Sequence, residues 1–415
     1  MFSGSRNGRH TAPIPFHHGQ VTAHLPVGAA PSRVSTLELF FDLVFVFTIT
    51  QVTEIIVDHP DAAGLSQAAI VLFVIFWMYG GYAWLTNASE PDTAARRLVL
   101  LGAMAAFFLA SLSVPDAFGA NGVAFGVAYL AVNVVHAVGF VVFAGLDALR
   151  PVLRLFGCNL ISAGLVLAAG WVHGSADWVL WLAAVAVQLA TPALAQTRRN
   201  YRINVEHFTE RHGLVILIVL GESLINVALA EAHAVVTIRT AVGVFAGLLA
   251  AATIWWSYFV GDDDRASAAL AAASPQRRAA LAITGYFFAH LVMIYGILVL
   301  AAGIGLSAPD LTAPVDTAGA WLIAGGVAIF LVGSGGFRAA LGYADPRTRI
   351  VGGACCLAAV PVGLVTSAAV ELVIVAAIVA LTLTADARIA RSSGASGAGR
   401  RAGWADPTAS AKMSA

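Results

Sequence analysis

The chain has 415 residues, 59% of them apolar and only 11% charged, with 23 basic and 23 acidic side chains and no net charge. Soluble domains carry roughly a quarter charged residues, and mean hydropathy here is +0.83, so the composition excludes a soluble domain and indicates a polytopic membrane protein. Lys412 is the only lysine, and no basic patch suits a polymer, which argues against nucleic acid as a partner.

In chain order, residues 1–34 are rich in Pro, Gly and His and lack the apolar stretch of a cleavable signal peptide. They are predicted to be a disordered cytoplasmic tail. His10, His17, His18 and His24 are interleaved with Pro and Gly and define no ligand geometry, so no metal site is expected there. Beyond them, apolar runs of the roughly 20 residues that cross a bilayer predict spans at 37–57, 65–86, 97–114, 122–144, 151–172, 177–196, 209–230, 238–260, 279–302, 318–340, 349–366 and 368–386. Only Thr366-Ser367 separates the last two, which leaves a re-entrant pair or one broken helix open. The expected fold is an all-α membrane protein of about twelve transmembrane helices. A first half (35–197) and a second half (209–387) are joined by a cytoplasmic linker (198–208), and a disordered cytoplasmic tail (388–415) follows. Cys158, Cys355 and Cys356 all lie in apolar runs without CxxC spacing and read as reduced packing residues.

Arginines fall in alternate connections: Arg96 and Arg97, Arg150 and Arg154, Arg198, Arg199 and Arg202, Arg277 and Arg278, Arg347 and Arg349. Basic residues stay on the cytoplasmic side, so both termini are expected in the cytoplasm. Arg239 is the one exception. The run Asp262-Asp263-Asp264 then falls in a cytoplasmic loop and reads as a solvated face.

A repeat organises the chain. Glu38, Phe40 and Asp42 match Glu206, Phe208 and Glu210 at one common offset, and Arg96-Arg97 with Phe107-Phe108 match Arg277-Arg278 with Phe287-Phe288 at another. Six spans, an even number, separate the copies, so the halves are predicted to be parallel repeats related by an axis along the membrane normal. On this reading the helices opening at Glu38 and Glu206 are equivalent, with Asp42 and Glu210 at similar depth.

Charged and polar residues inside spans are functional suspects because a bilayer disfavours them. Glu38 and Asp42 share a helical face by i, i+4 spacing, and the plain alternative is an exposed Glu38 with Asp42 tied to an Arg. Glu222 lies about 16 Å beyond Arg211 along its helix, near the midplane. It is the leading candidate for a proton or cation site, with Asn226 one turn on. His207, Glu210 and Arg211 share a face and read as an ion-pair network rather than a metal site, since HExxH spacing is absent. His136 and His290 sit in the middle of spans as proton-relay or hydrogen-bonding candidates. Glu371 and the packing motif Gly243-x-x-x-Gly247 are further signals. No GxSxG, GxxxxGK[ST] or HExxH motif is present, so neither catalysis nor a cofactor is expected.

The stretches Leu37-Glu38-Leu39-Phe40-Phe41-Asp42-Leu43-Val44-Phe45-Val46, Glu210-Arg211-His212-Gly213-Leu214 and Leu220-Gly221-Glu222-Ser223-Leu224-Ile225 resemble the hallmarks of the bacterial low temperature requirement protein A family. The resemblance covers about residues 33–386 and implies a multi-pass inner-membrane protein named for growth in the cold. Glu38-x-Phe40-x-Asp42 with Val44-Phe45 and Ile49-Thr50 is also similar to the first helix of the endolysosomal and prokaryotic potassium channels that lack TVGYG. Those channels carry an Arg at the position of Thr36 and a Ser at that of Phe41. The resulting expectation is movement of a small solute or ion, with proton coupling through Glu222. A cation channel and a non-transporting factor for growth in the cold are the alternatives. Expected partners are membrane lipid and the solute itself, and homo-oligomer formation stays open.

Overall fold

The computed structural model describes residues 33–145, 149–172, 174–194, 203–231, 237–307 and 310–402, and side chains at 144, 149–152, 222, 226, 227, 229–231 and 392–402 lie outside the description. The elements are α1 (Thr36–Asp58), α2 (Ala62–Ala88), α3 (Ala94–Leu112), α4 (Gly122–Ala144), α5 (Leu149–Ala169), α6 (Ser175–Leu194), α7 (Val205–Glu231) and α8 (Ile238–Phe259). There follow α9 (Asp262–Ala272), α10 (Pro275–Leu281), α11 (His290–Leu306), α12 (Thr317–Leu341), α13 (Arg347–Cys356), α14 (Val360–Val365) and α15 (Ala368–Ala402). Among the described residues, ten helical stretches are long and apolar enough to cross a membrane: α1 to α4, α6, α8 with α9, α10 through α11, α12, α13 through α14, and α15. The apolar part of α5, Leu153–Ala169, is shorter, and α7 is helical without being one of the ten.

Helix starts follow from local chemistry. A helix leaves its first N–H groups unpaired, and Ser35, Asp61, Thr93, Thr237 and Asp316 each supply a side-chain oxygen to one or two of them. The membrane allows no unpaired backbone, so such caps mark where chains meet the interface. At the other ends, Gly342 (φ 73°) takes the left-handed conformation that stops α12, and Gly145 (φ 78°) stops α4 in an extended conformation of positive φ open to glycine. Over 349–386, where a re-entrant pair or one broken helix stood open, two helical stretches, Arg347–Val365 and Ala368–Arg391, are each long and apolar enough to cross a membrane, the first of them interrupted. Pro361 cannot donate to residue 357, and Leu357–Ala359 tightens into a 3₁₀ turn. α15 runs past residue 386 into the segment expected to be disordered, through the helix-favouring run Ala385-Asp386-Ala387-Arg388.

Several neighbour relations recur between two sets of helices, α1–α6 and α7–α15, whereas α2 on α4 and α12 on α15 lack a counterpart of that extent. In the first, α1 packs on α2 and α3, α3 on α4, α4 on α5, and α6 on both α5 and α2. In the second, α7 packs on α8 and α11, α11 on α12, α12 on α13, and α15 on both α13 and α8. The halves meet where α1 and α2 touch α7 and α11. The tightest crossing is α11 on α12. A Cβ on Gly296 would lie 2.7 Å from the Gly326 carbonyl oxygen, one on Gly326 would lie 2.7 Å from the Gly296 carbonyl oxygen, and one on Gly303 would lie 2.7 Å from the Ile323 nitrogen. Small residues at helix crossings allow such backbone approach. Gly243 and Gly247 are buried on α8.

Arg239, the exception to the arginine pattern, is paired with Asp310 of the loop between α11 and α12 at 3.1 Å. Hydrogen bonds from the Thr312 hydroxyl and amide, ahead of the Arg239 charge, hold the Asp310 carboxyl below its usual range. The pair is exposed and contributes little to stability.

Candidate functional site

Two carboxylates of α1 meet α7 inside the bundle. Glu38 Oε1 lies 3.2 Å from Arg211 Nη1 and 3.1 Å from His207 Nε2. Asp42 Oδ1 accepts from Arg211 Nη2 at 2.9 Å, from Arg211 Nε at 3.3 Å and from the Tyr79 hydroxyl at 2.9 Å. Arg211 Nη1 also donates to Thr86 at 2.5 Å, and its guanidinium lies over the rings of Phe41 and Tyr79 at 5.6 and 5.4 Å. Glu38, Asp42, His207 and Arg211 are all buried. Glu38 serves two purposes, since its Oε2 accepts from the Ser35 amide at 3.0 Å and closes the capping box of α1. The bonds Glu38–His207 and Asp42–Arg211 span the same 169 residues, so α1 and α7 run side by side and parallel with equal depths facing.

The proton on His207 is placed by its neighbour. Asn87 Oδ1 accepts from the Asn204 amide at 3.0 Å, while Asn87 Nδ2 donates to the Asn204 carbonyl at 2.9 Å and faces His207 Nδ1 at 3.2 Å. The Asn204 backbone therefore fixes the Asn87 amide, and an N–H donor faces Nδ1, which must accept. A histidine whose Nδ1 accepts is neutral and carries its hydrogen on Nε2, which here donates to Glu38. Two carboxylates then stand against one guanidinium, and the cluster is one positive charge short. Asp42 Oδ2 is buried with no hydrogen-bond partner among the described residues.

The other candidates fall elsewhere. Glu210 and Glu206 are exposed, unlike Asp42 and Glu38, and Glu210 accepts from the Val34 amide at 3.2 Å. The side chains of Glu222 and Asn226 lie outside the described residues, although both positions belong to α7. His290 is fully partnered: Nδ1 faces the Gly285 carbonyl at 3.1 Å and Nε2 faces the Tyr258 hydroxyl at 2.9 Å. His212 packs tilted against Phe208 and edge-on against Tyr286 and His290. His136 is buried in α4, and its Nε2 has no partner among the described residues. Glu371 is buried with both oxygens unpartnered among the described residues. No group of three metal-ligating side chains occurs among the described residues.

The reading of Asp262-Asp263-Asp264 as a solvated face is corrected. Asp264 is exposed, but Asp262 is buried and pairs with Arg349 at 3.2 Å, with Arg265 at 3.4 Å and at 3.9 Å with Arg338. Asp386 of α15 takes Arg338 at 2.5 Å and Arg349 at 2.7 Å, and Arg349 also donates to Ser257. The reason is topological: the chain turns at Gly261 (φ 95°) and α9 packs on α12, so its first residue faces Arg338 of α12 and Arg349 of α13. The buried Asp262 and the half-buried Asp386 meet two buried arginines, so this clip is balanced where the α1–α7 cluster is not.

No solved structure matches the chain. An uncharacterized protein of Rhizobium meliloti (strain 1021), RA0937, is 27% identical over 208 residues, 47% of this chain and 51% of that protein. The match thus spans about half the length of this relative. The family described as bacterial low temperature requirement A protein (LtrA) matches residues 33–384, a stretch that contains the α1–α7 cluster, every candidate residue and all of the clip except Asp386. The chain belongs to the bacterial low temperature requirement A family.

Proposed function

We propose that the chain moves a small solute across the bacterial inner membrane with proton coupling, and that the exchangeable proton resides in the Glu38–Asp42–Arg211–His207 cluster. One observation carries this reading: Asp42 Oδ2 is buried with no partner among the described residues, in a cluster where two carboxylates share one guanidinium. A buried net charge is costly, and a proton on Asp42 Oδ2 removes it without breaking any hydrogen bond. A metal or alkali cation needs several oxygen ligands, and Asp42 Oδ2 is the one unpartnered carboxylate oxygen of the cluster among the described residues, so the geometry favours proton coupling over a cation channel.

The reading includes twelve spans, with α5 and α7 completing the ten, arranged as two parallel six-helix repeats. The shared neighbour relations and the parallel α1 and α7 support it, and the arginine distribution supports cytoplasmic termini. No catalytic role is assigned, and lipid is the surrounding partner.

The test is a solute screen in proteoliposomes carrying an internal pH dye. Wild type should show solute-dependent proton movement, and Asp42→Asn, which supplies a neutral side chain of the same shape, should abolish it while the protein still folds. Glu222→Gln is the comparison, since a midplane carboxyl was the leading proton site on sequence grounds. Loss only in Glu222→Gln would move the proton site up α7, and a wild type that moves no solute would leave the non-transporting role.

A further inference from the structure

Away from the charge cluster, three irregularities of helix geometry converge on one cavity. α2 carries Gly80-Gly81 in its interior, α6 carries Pro192 inside the helix, and Ala282–Ala289 between α10 and α11 winds as a π-helix. Each has a cost or a cause. Interior glycines weaken a helix, an interior proline removes a hydrogen bond, and π-turns concentrate at functional sites. All three border a cavity of about 120 Å³ that lies between α2, α4, α5, α6 and the π-helical segment.

The walls select a ligand class. Trp77, Trp84, Phe140 and Phe287 present aromatic rings, and Leu155 and Ile283 add apolar surface. No Asp, Glu, Lys or Arg lines the cavity, so a charged ligand would lose its hydration without compensation. One buried polar atom, His136 Nε2, has no partner among the described residues. Leaving such an atom unpaired is costly. Gly81 is what admits it, because a Cβ there would lie 2.8 Å from His136 Nε2. An engineered apolar cavity of ~150 Å³ accommodates benzene, so a single ring is the size that fits.

We infer that this cavity binds a small uncharged aromatic molecule bearing one hydroxyl or N–H group, with the ring among Trp77, Trp84, Phe140 and Phe287 and the polar group on His136 Nε2. A lipid chain would fill the apolar walls but leave His136 unpaired, and water would pair His136 but leave the aromatic walls unmatched. Binding is read without any flux, so this inference stands or falls separately from the proton-coupled reading.

The test uses the full-length chain in phosphatidylcholine nanodiscs, titrated with phenol and with toluene, which has a methyl group in place of the hydroxyl. Tryptophan fluorescence and calorimetry are read against empty nanodiscs. Phenol should bind about tenfold more tightly than toluene, the effect of roughly one well-made hydrogen bond. His136→Leu should remove that preference, and His136→Gln, which keeps a hydrogen-bonding group, should retain most of it. Gly80→Val should weaken both ligands about tenfold or more. A Cβ at Gly80 meets only Phe287, at 3.7 Å, so the substitution fills space without straining the backbone. Equal binding of phenol and toluene by wild type, unchanged binding in Gly80→Val, or no binding above empty nanodiscs would overturn the inference.

Discussion

Arg211→Gln is expected to lower stability by about 3–5 kcal/mol. Arg211 is 1% exposed and is the only guanidinium reaching Glu38 and Asp42 among the described residues. Removing it leaves two carboxylates buried together, and that uncompensated charge costs more than the lost bonds. Arg211→Lys should recover only part of the stability, because a single ammonium cannot hold Glu38, Asp42 and Thr86 in one fork. The decisive arm is the triple variant Glu38→Gln, Asp42→Asn, Arg211→Gln, which has no buried charge at these positions and should regain most of the loss. Thermal unfolding in detergent reads all three. A triple variant as unstable as Arg211→Gln would show that shape rather than charge sets the penalty.

Gly326→Val should prevent folding, whereas Gly325→Val, one residue away, should be nearly neutral. At Gly326 a Cβ would meet the backbone nitrogen of Leu300 and the carbonyl of Gly296, and neither can move without separating α11 from α12. Ordinary overpacking costs about 1–3 kcal/mol when side chains can shift, and here the obstacle is backbone, so the cost should exceed that range. At Gly325 nothing lies within 4 Å of a Cβ, and valine has a better helix propensity than glycine. Folded yield by size-exclusion chromatography separates the two. Similar yields would mean that the α11–α12 crossing is looser than its geometry indicates.

The positions of the helices were readable because membrane length is written in composition. Residues 122–144 were expected to form a span and α4 covers Gly122–Ala144, and 37–57 compares with Thr36–Asp58. Which face of each helix is buried was not readable. α1 buries Phe41, Phe45 and Ile49 and exposes Leu39, Phe40 and Leu43, and lipid and protein interior are equally apolar, so hydrophobic periodicity carries no signal. Partners across helices were missed for a related reason: Arg211 was grouped with its own neighbours His207 and Glu210, although its ligands are on α1. The structure shows why: Glu38 and His207 each follow the first residue of their helix by two positions, and Asp42 and Arg211 by six, a match hidden in the sequence because the second apolar run begins only at 209. Asp262 gave no clue, because its pairing depends on distant arginines, and the π-helix at Ala282–Ala289 has no proline to announce it.

The carboxylate of Glu38 is shared between the start of α1 and the α1–α7 cluster, through Ser35 on one side and through Arg211 and His207 on the other. Any change of charge state that redirects this side chain is therefore felt by the hydrogen bonds of the first helical turn. Residues 35–38 would act as a gauge of the cluster, and amide exchange at Ser35 and Glu38 should quicken under conditions that rearrange it while amides deeper in α1 stay protected. Val34, bonded to Glu210, carries the same signal to the rim of α7. The membrane-buried charges would thereby be in mechanical communication with the segment of chain that precedes the first helix.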